Sequence, residues 1–187
     1  MAIEYDLRAF TVDEYHRMAE VGILDSDERV ELLDGRLVLM SPLGKKHWIA
    51  HAVIVPYLHE RLAGHAVVGQ GSFPLGRHNE PQPDIAVLAE PPAAYREREF
   101  QPADLRLVIE LADSSLAKDT GVKMRLYGRF RIPDYIVVDL ARNVLRHYTE
   151  PNDIGYASEE THSPGDTFRL AAFSEIVLAA DVFLSPE

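Results

Sequence analysis

Residues 105–139 read LRLVIELADSSLAKDTGVKMRLYGRFRIPDYIVVD, and this stretch decides the fold. It predicts an apolar strand from Leu105 to Leu111, a helix, and a second apolar strand from Tyr135 to Asp139. The first strand is apolar on both faces, which is typical of a strand in the middle of a covered sheet. Glu110 lies inside this strand. A carboxylate buried there needs an ion-pair partner, a bound cation or a proton.

Length and composition indicate a single globular domain. The chain has 187 residues, of which 47% are hydrophobic and 26% charged, which is ordinary for a protein with one core. No apolar run approaches the roughly 20 residues that a membrane span requires, and the N-terminus lacks a secretory signal pattern. Cysteine is absent, which excludes disulfides and thiolate metal sites and fits a cytoplasmic protein.

The net charge of −11 bears on possible partners. It argues against binding of a polyanion by the whole surface, although a local patch can still be basic. The basic residues that follow the central strand are Lys118, Lys123, Arg125, Arg129 and Arg131. They form either a phosphate-binding surface or an ordinary solvated helix face.

Turn and capping signals place the other elements. Thr11 and Glu14 form a capping box that opens a short helix, and Asp34-Gly35 between two apolar runs predicts a hairpin. The remaining predicted elements are a helix from Ser41 to about Ala63, strands over 66–73 and 85–88, a loop over 90–103, and C-terminal strands over 144–148 and 173–178. This order predicts an α/β protein with a central mixed sheet flanked by helices.

Three acidic residues stand at strand positions where a structural sheet would prefer apolar ones: Glu31, Asp84 and Glu110. If their strands are neighbours, the carboxylates converge and repel one another, and a divalent cation relieves that repulsion. Mg²⁺ prefers such oxygen ligands and can activate a water molecule to attack a phosphate. Taken singly, an exposed edge position for Glu31 and a turn-capping role for Asp84 are the more ordinary explanations.

The acidic residues belong to an ordered set of motifs. The set comprises ELLDG at 31–35, MSP at 40–42 with His47, PDIAV at 83–87, VIEL at 108–111, AKD at 117–119 with Lys123 and Tyr127, and IPDY at 132–135 running into Val138-Asp139. In this order the motifs resemble the Uma family of restriction-endonuclease-like proteins, within the PD-(D/E)XK nuclease superfamily. The resemblance runs from about residue 30 to residue 182.

This resemblance implies a restriction-endonuclease-like α/β fold. It implies one domain over residues 1–187, with an N-terminal helical extension at 1–28, a nuclease core at 30–150 and C-terminal strands at 151–187. It further implies hydrolysis of DNA phosphodiester bonds with Mg²⁺ or Mn²⁺, and a homodimer that presents two sites to a duplex. The expected metal ligands are Glu31, Asp84, Glu110 and the backbone carbonyl of Leu111.

The catalytic lysine requires an argument of its own. The superfamily pattern has a lysine two residues after the second acid, where this chain has Ala112. In the following helix, the positions that share one stripe at 3.6 residues per turn are Leu116, Thr120, Lys123, Tyr127 and Phe130. This apolar stripe must face the sheet, so Lys123 is predicted as the catalytic lysine beside Asp84 and Glu110. Lys118 falls on the opposite side and is predicted as a surface or phosphate contact.

Two further polar residues are candidate substrate contacts. His47 matches a position of the family motifs, and its spacing from His51 suits a helical zinc pair, but the HExxH pattern is absent. With His59 two turns further on, a partly solvated helix face is the more ordinary explanation of these histidines. Gln70 is predicted on the strand before Asp84, either near the site or bonded to the backbone. Two other functions stay open: a catalytically inactive nuclease-fold binding protein, and a metal-dependent hydrolase of another phosphoester.

Overall fold

The computed structural model describes residues 7–25 and 27–184. The predicted domain limits at residues 1 and 187 lie outside these ranges. In chain order the strands are β1 (Val30–Leu33), β2 (Arg36–Leu39), β3 (Ala66–Gly69), β4 (Ile85–Leu88), β5 (Leu105–Ala112), β6 (Asp134–Asp139), β7 (Val144–Asn152), β8 (Gly155–His162), β9 (Thr167–Arg169) and β10 (Val177–Ala179). The α-helices are α1 (Val12–Glu20), α2 (Lys45–Arg61), α3 (Leu116–Lys118), α4 (Met124–Arg129) and α5 (Asp181–Leu184).

The central sheet has six strands in the order β3-β4-β5-β6-β7-β8. Strands β5 and β6 run parallel, and every other neighbouring pair in this sheet is antiparallel. The connection between β5 and β6 contains α3 and α4, as a parallel crossover requires. The predicted mixed α/β sheet with additional C-terminal strands is thus confirmed. Hairpin β1-β2 and the pair β9-β10 form two small separate sheets.

Both faces of the central sheet are covered, as the apolar strand β5 predicts. Leu107 and Ile109 pack with Ile54 of α2 and with Phe183 of α5 on one face. On the other face Val108 packs with residues of α4 and with a group of tyrosines. Residues alternate between the faces of a strand, and β5 buries its residues on both faces except Arg106. None of the described helices is long and apolar enough to cross a membrane.

Several predicted boundaries differ from the structure. Helix α2 begins at Lys45 rather than Ser41, because Gly44 is its extended N-cap residue and the preceding residues form a loop. Strand β3 ends at Gly69, because Gln70 has a φ of 53° that breaks the extended backbone. The final strand is Val177–Ala179 rather than 173–178, since residues 171–175 form a turn region before it.

One turn of π-helix, Asp119–Lys123, separates α3 from α4. A π-turn bonds residue i to residue i+5 and therefore changes the helical phase. Helix α4 then lies so close to β8 that a Cβ atom at Gly128 would overlap the carbonyl group of Gly155. The close packing of this crossover requires glycine at position 128.

A stack of tyrosines fills the face of the sheet beneath α4. The ring of Tyr135 lies nearly parallel to those of Tyr148 and Tyr156, with centroids 5.7 and 6.1 Å apart. Burial raises the pKa of Tyr135 and of Tyr156 well above the usual value of about 10. Both phenols therefore stay protonated as long as the fold persists near that pH.

Alkaline titration is expected to ionise Tyr135 and Tyr156 only together with unfolding. In the unfolded chain these phenols lose their protons near pH 10. Their contribution to stability is therefore complete below that pH and is lost as the pH rises further. Tyrosinate absorbance and circular dichroism, recorded together, should show a late absorbance step that coincides with unfolding and is smaller in Tyr156→Phe. Full ionisation of all tyrosines in the folded protein would contradict this expectation.

Candidate active site

Asp84 and Glu110 lie side by side at one end of two neighbouring strands. Ile85 pairs with Ile109, so Asp84, just before β4, stands at the level of Glu110 on β5. The backbone N–H of Leu111 donates to Asp84 Oδ2 over 2.7 Å. Both carboxylates are buried. This end of the sheet therefore carries two adjacent acids. The sequence predicts this for two acids on neighbouring apolar strands.

Glu31 reaches the same place from hairpin β1-β2, which is outside the central sheet. Asp34 and Gly35 turn this hairpin with φ values of 48° and 71°, as an Asp-Gly turn requires. Backbone hydrogen bonds between Leu32 and Glu80 attach the hairpin to the loop before β4. Glu31 is completely buried, so the edge-exposed alternative for this residue is wrong. Its strand is nevertheless not a neighbour of β4 or β5.

Lys123 is the cation at the centre of the site. Its Nζ lies 2.9 Å from Glu110 Oε1 and 2.9 Å from Glu31 Oε2, and the side chain is 1% exposed. The hydroxyl of Tyr127 also donates to Glu110 Oε1 over 3.0 Å. The inward direction predicted for Lys123 and Tyr127 is what the structure shows.

Lys118 also enters the site, which corrects its predicted position on the outer side of the helix. Its Nζ lies 2.8 Å from Glu31 Oε1, and the side chain is 20% exposed. The prediction assumed 3.6 residues per turn throughout. Because the intervening turn is a π-turn, two residues five positions apart lie on nearly the same side of the helix. Glu31 therefore holds a lysine on each of its two carboxylate oxygens.

The electrostatics of the site follow from burial and charge together. Burial raises the pKa of Glu110 well above its usual range; Lys123 opposes this shift, while Asp119, Asp84 and Glu31 add to it. Burial disfavours the charge on Lys123, but Glu110, Glu31 and Asp119 outweigh it and raise the pKa of this ammonium group. Lys123 is therefore held in its protonated form at neutral pH.

Asp119 is a buried acid of the π-turn to which sequence reasoning assigned no role. It is 1% exposed and accepts a hydrogen bond from the Ser115 hydroxyl. Burial raises its pKa, and Lys123 opposes that shift. The sequence did contain a sign that Asp119 is not an ordinary surface residue, because a single acid among five basic residues is unusual on a solvated helix face. Only the π-turn shows that this acid points inward.

The site has more carboxyl groups than ammonium groups, and this suits a divalent cation. When ionised, Glu31, Asp84, Glu110 and Asp119 carry four negative charges, against two positive charges on Lys118 and Lys123. Carboxylate oxygens and a backbone carbonyl are the donors that Mg²⁺ prefers. The chemistry of this donor set therefore fits the metal that the sequence led us to expect.

The role of metal ligand predicted for Glu31 stays a prediction. Within the described residues, Glu31, Asp84 and Glu110 do not form a group whose ligand atoms all lie within 4.8 Å of one another. Both oxygens of Glu31 are bonded to lysines. Asp84 and Glu110 remain as the two adjacent carboxylates.

His47 lies in the site, and Gln70 does not. His47 is 6% exposed, and its Nε2 lies 2.8 Å from Asp84 Oδ1, so it is not part of a solvated helix face. Gln70 is exposed, and only its backbone N–H is near the site, donating to the carbonyl of Asp84. The residues that line the cleft above these groups are Arg29, Met40, Ser41, Pro42, Leu43, Asp113, Ser114 and Ser115.

On this mixed sheet an aspartate stands before one central strand, a glutamate lies on the next, and a lysine comes from the following helix. This is the arrangement that the sequence resemblance implied for a restriction-endonuclease-like protein. The family comparison agrees with this class. The chain belongs to the Uma2 family, whose description is "putative restriction endonuclease" and whose model matches residues 12–181.

A solved structure shares the fold. The crystal structure of a putative nuclease belonging to DUF820 from Anabaena variabilis ATCC 29413 superposes with a TM-score of 0.69. The match covers 95% of this chain and 98% of that chain, at 14% sequence identity. At this identity the likeness establishes the fold alone. No curated protein matches the chain.

Proposed function

We propose that this protein is a Mg²⁺- or Mn²⁺-dependent endonuclease that hydrolyses phosphodiester bonds in DNA. The observation that carries the proposal is the pair Asp84 and Glu110, buried side by side, with the protonated Lys123 on Glu110 at the base of a cleft. Membership of the Uma2 family supports the same class of reaction. This arrangement has the groups that phosphodiester hydrolysis needs: a cation site and a positively charged donor.

Asp84, Glu110 and the backbone carbonyl of Leu111 would hold the metal ion. When bound, such an ion polarises a phosphate oxygen and lowers the pKa of a water molecule. The hydrogen bond from the Leu111 N–H keeps Asp84 oriented towards the position beside Glu110. His47, bonded to the other oxygen of Asp84, restrains the same carboxylate from the opposite side.

Lys123 acts in this proposal as a donor of positive charge rather than as a base. Its raised pKa keeps the proton on Nζ at neutral pH. A fixed ammonium group can orient the attacking water and stabilise the negative charge that develops on the phosphate. Glu31 contributes by holding Lys123 and Lys118 in place, and Lys118, the more exposed of the two, would contact a substrate phosphate.

The DNA substrate and a homodimer belong to the proposal as well. The negative net charge excludes a broadly basic surface, so DNA contact would concentrate at the cleft, where Arg29, Lys118 and Lys123 lie. A dimer would present two such clefts to the two strands of a duplex.

A nuclease-fold protein that only binds is the second candidate. The charge of −11 and the alanine at position 112 favour it. The buried Lys123 weakens the second argument, because it brings an ammonium group to Glu110 from the helix. A hydrolase of another phosphoester would use the same groups, and a panel of phosphomonoester and phosphodiester substrates separates it from a nuclease.

Nicking of supercoiled plasmid is the direct test. We expect cleavage with Mg²⁺ or Mn²⁺, none after chelation with EDTA, and inhibition by Ca²⁺, which has looser geometry and activates water less well. Asp84→Asn, purified identically, controls for a contaminating nuclease. Cleavage that survives EDTA contradicts the metal, and metal binding without cleavage of any nucleic acid supports the binding protein.

A further inference from the structure

A second group of potential metal ligands lies on β7 and β8, and β8 is an edge strand of the central sheet. His147 on β7 pairs directly with Glu160 on β8, and His162 follows two residues after Glu160. Alternation along a strand therefore places all three side chains on one face. One ligand atom from each of the three lies within 4.8 Å of the others.

The spacing of two of these atoms is close to that of zinc ligands. His162 Nε2 lies 3.6 Å from Glu160 Oε2, longer than a hydrogen bond. Two ligands of a tetrahedral Zn²⁺, each at about 2.0–2.1 Å, are about 3.3 Å apart. A shift of a few tenths of an ångström would let His162 Nε2 and Glu160 Oε2 bind the same ion.

His162 has a buried nitrogen that the described part of the chain does not satisfy. Its Nε2 is inaccessible to solvent and has no hydrogen-bond partner among the described residues. Leaving a buried polar atom unpaired costs about 1–3 kcal/mol in general, so such an atom calls for an explanation. Burial lowers the pKa of His162, which leaves the ring neutral, the form that ligates metals.

His147 has the supporting contact that metal-ligating histidines usually have. Its Nε2 lies 2.7 Å from Asp134 Oδ1, and Asp134 in turn accepts hydrogen bonds from the backbone N–H groups of Ala171 and Ala172. A carboxylate on one ring nitrogen fixes the tautomer and leaves the other nitrogen's lone pair available. The ring of Phe168 packs against both imidazoles, at 5.4 Å from His147 and 5.0 Å from His162.

We propose that His147, Glu160 and His162 form a binding site for a divalent transition-metal ion of the Zn²⁺ type. Two imidazoles and a carboxylate select such an ion over Mg²⁺, which takes oxygen ligands. The three ligands leave a fourth position to water, and the exposed Glu160 gives access from solvent. The ion would tie the edge strand β8 to β7.

This site is independent of the proposed nuclease site. Glu110 pairs with Val137 across β5 and β6, whereas His147 pairs with the adjacent Ile136 across β6 and β7. Neighbouring residues of a strand point to opposite faces, so the two sites lie on opposite faces of the sheet. Loss of one leaves the ligands of the other untouched.

Zinc titration of tag-free, chelator-treated full-length protein tests the proposal. To remove binding at the cleft, the titrations use the Asp84→Asn background. Calorimetry should find one equivalent of Zn²⁺, and Co²⁺ should give the visible absorption of a low-coordinate site with nitrogen ligands. Glu160→Gln, at an exposed position, and His162→Gln should each weaken Zn²⁺ by more than about tenfold, since loss even of a supporting group costs that much.

His59→Gln is the matched control, because His59 is an exposed histidine of α2. It should leave Zn²⁺ affinity unchanged. Absence of Zn²⁺ binding in the Asp84→Asn background, or equal affinity in Glu160→Gln and its parent, would overturn the proposal. Zinc that binds wild type but not Asp84→Asn would place the ion in the cleft instead and equally overturn it. Failure of plasmid nicking has no bearing on these outcomes.

Discussion

Replacing Lys123 by methionine is expected to reduce nicking by about 10²–10³-fold, the usual effect of removing one preorganised donor from an active site. The side chain of methionine fills a similar volume but carries no charge. Binding of Mg²⁺ should persist, because Asp84, Glu110 and the Leu111 carbonyl remain. Single-turnover cleavage and calorimetry, measured on the same preparation, separate the two effects.

The same substitution is expected to destabilise the protein, so the cleavage assay needs a control that shows the variant is folded. Glu31 and Glu110 would lose the ammonium group that lies 2.9 Å from each, and breaking a buried ion pair from one side typically costs about 3–5 kcal/mol. Urea unfolding measures this loss and establishes that the assayed protein is folded. If saturating Mg²⁺ restores most of the stability but none of the cleavage, the role of Lys123 in the reaction is established separately from its role in the fold.

Lys118→Met is the matched variant. Among the described residues Lys118 forms its ion pair with Glu31, whereas Lys123 pairs with two acids, and Lys118 is partly exposed. Its loss should therefore affect both cleavage and stability less than the loss of Lys123. Equal or larger loss of cleavage in Lys118→Met would mean that the two lysines have been assigned the wrong roles.

Asp84→Asn is expected to abolish metal binding in the cleft and to reduce cleavage on the order of 10³-fold or more, since metal catalysis is worth several kcal/mol. The fold should survive, because asparagine retains an oxygen that can accept from the Leu111 N–H. A modest loss of stability is expected as well, because the substitution weakens the contact between Asp84 Oδ1 and His47 Nε2. Calorimetry with Mg²⁺ and Mn²⁺, together with thermal unfolding, measures the two effects.

Asp113→Asn provides the control for charge. Asp113 lines the same cleft but is exposed, so this variant removes one negative charge without touching the paired carboxylates. It should bind metal and cleave nearly as wild type does. A comparable loss in Asp113→Asn would show that the overall charge of the cleft, rather than the ligand role of Asp84, governs activity.

The sequence by itself determined the features that depend on neighbouring residues. The apolar strand β5, the Asp-Gly hairpin and the capping box at Thr11 are each set by local periodicity, backbone conformation or a short-range hydrogen bond. The same patterns placed Asp84 and Glu110 on apolar strands, and the motifs pointed to Glu31. The direction of Lys123 followed from the apolar stripe of its helix.

Only the tertiary structure decided how these groups meet. Glu31 reaches the site because Leu32 and Glu80 join a hairpin to a distant loop, a pairing that leaves no periodic signal in the sequence. The π-turn brings Lys118 and Asp119 inward. A π-turn contains one residue more than an α-helical turn, and helix propensities do not show where such an extra residue is inserted. Which carboxylates bind a lysine depends on these long-range contacts, because opposite charges pair by distance in space and not by spacing along the chain.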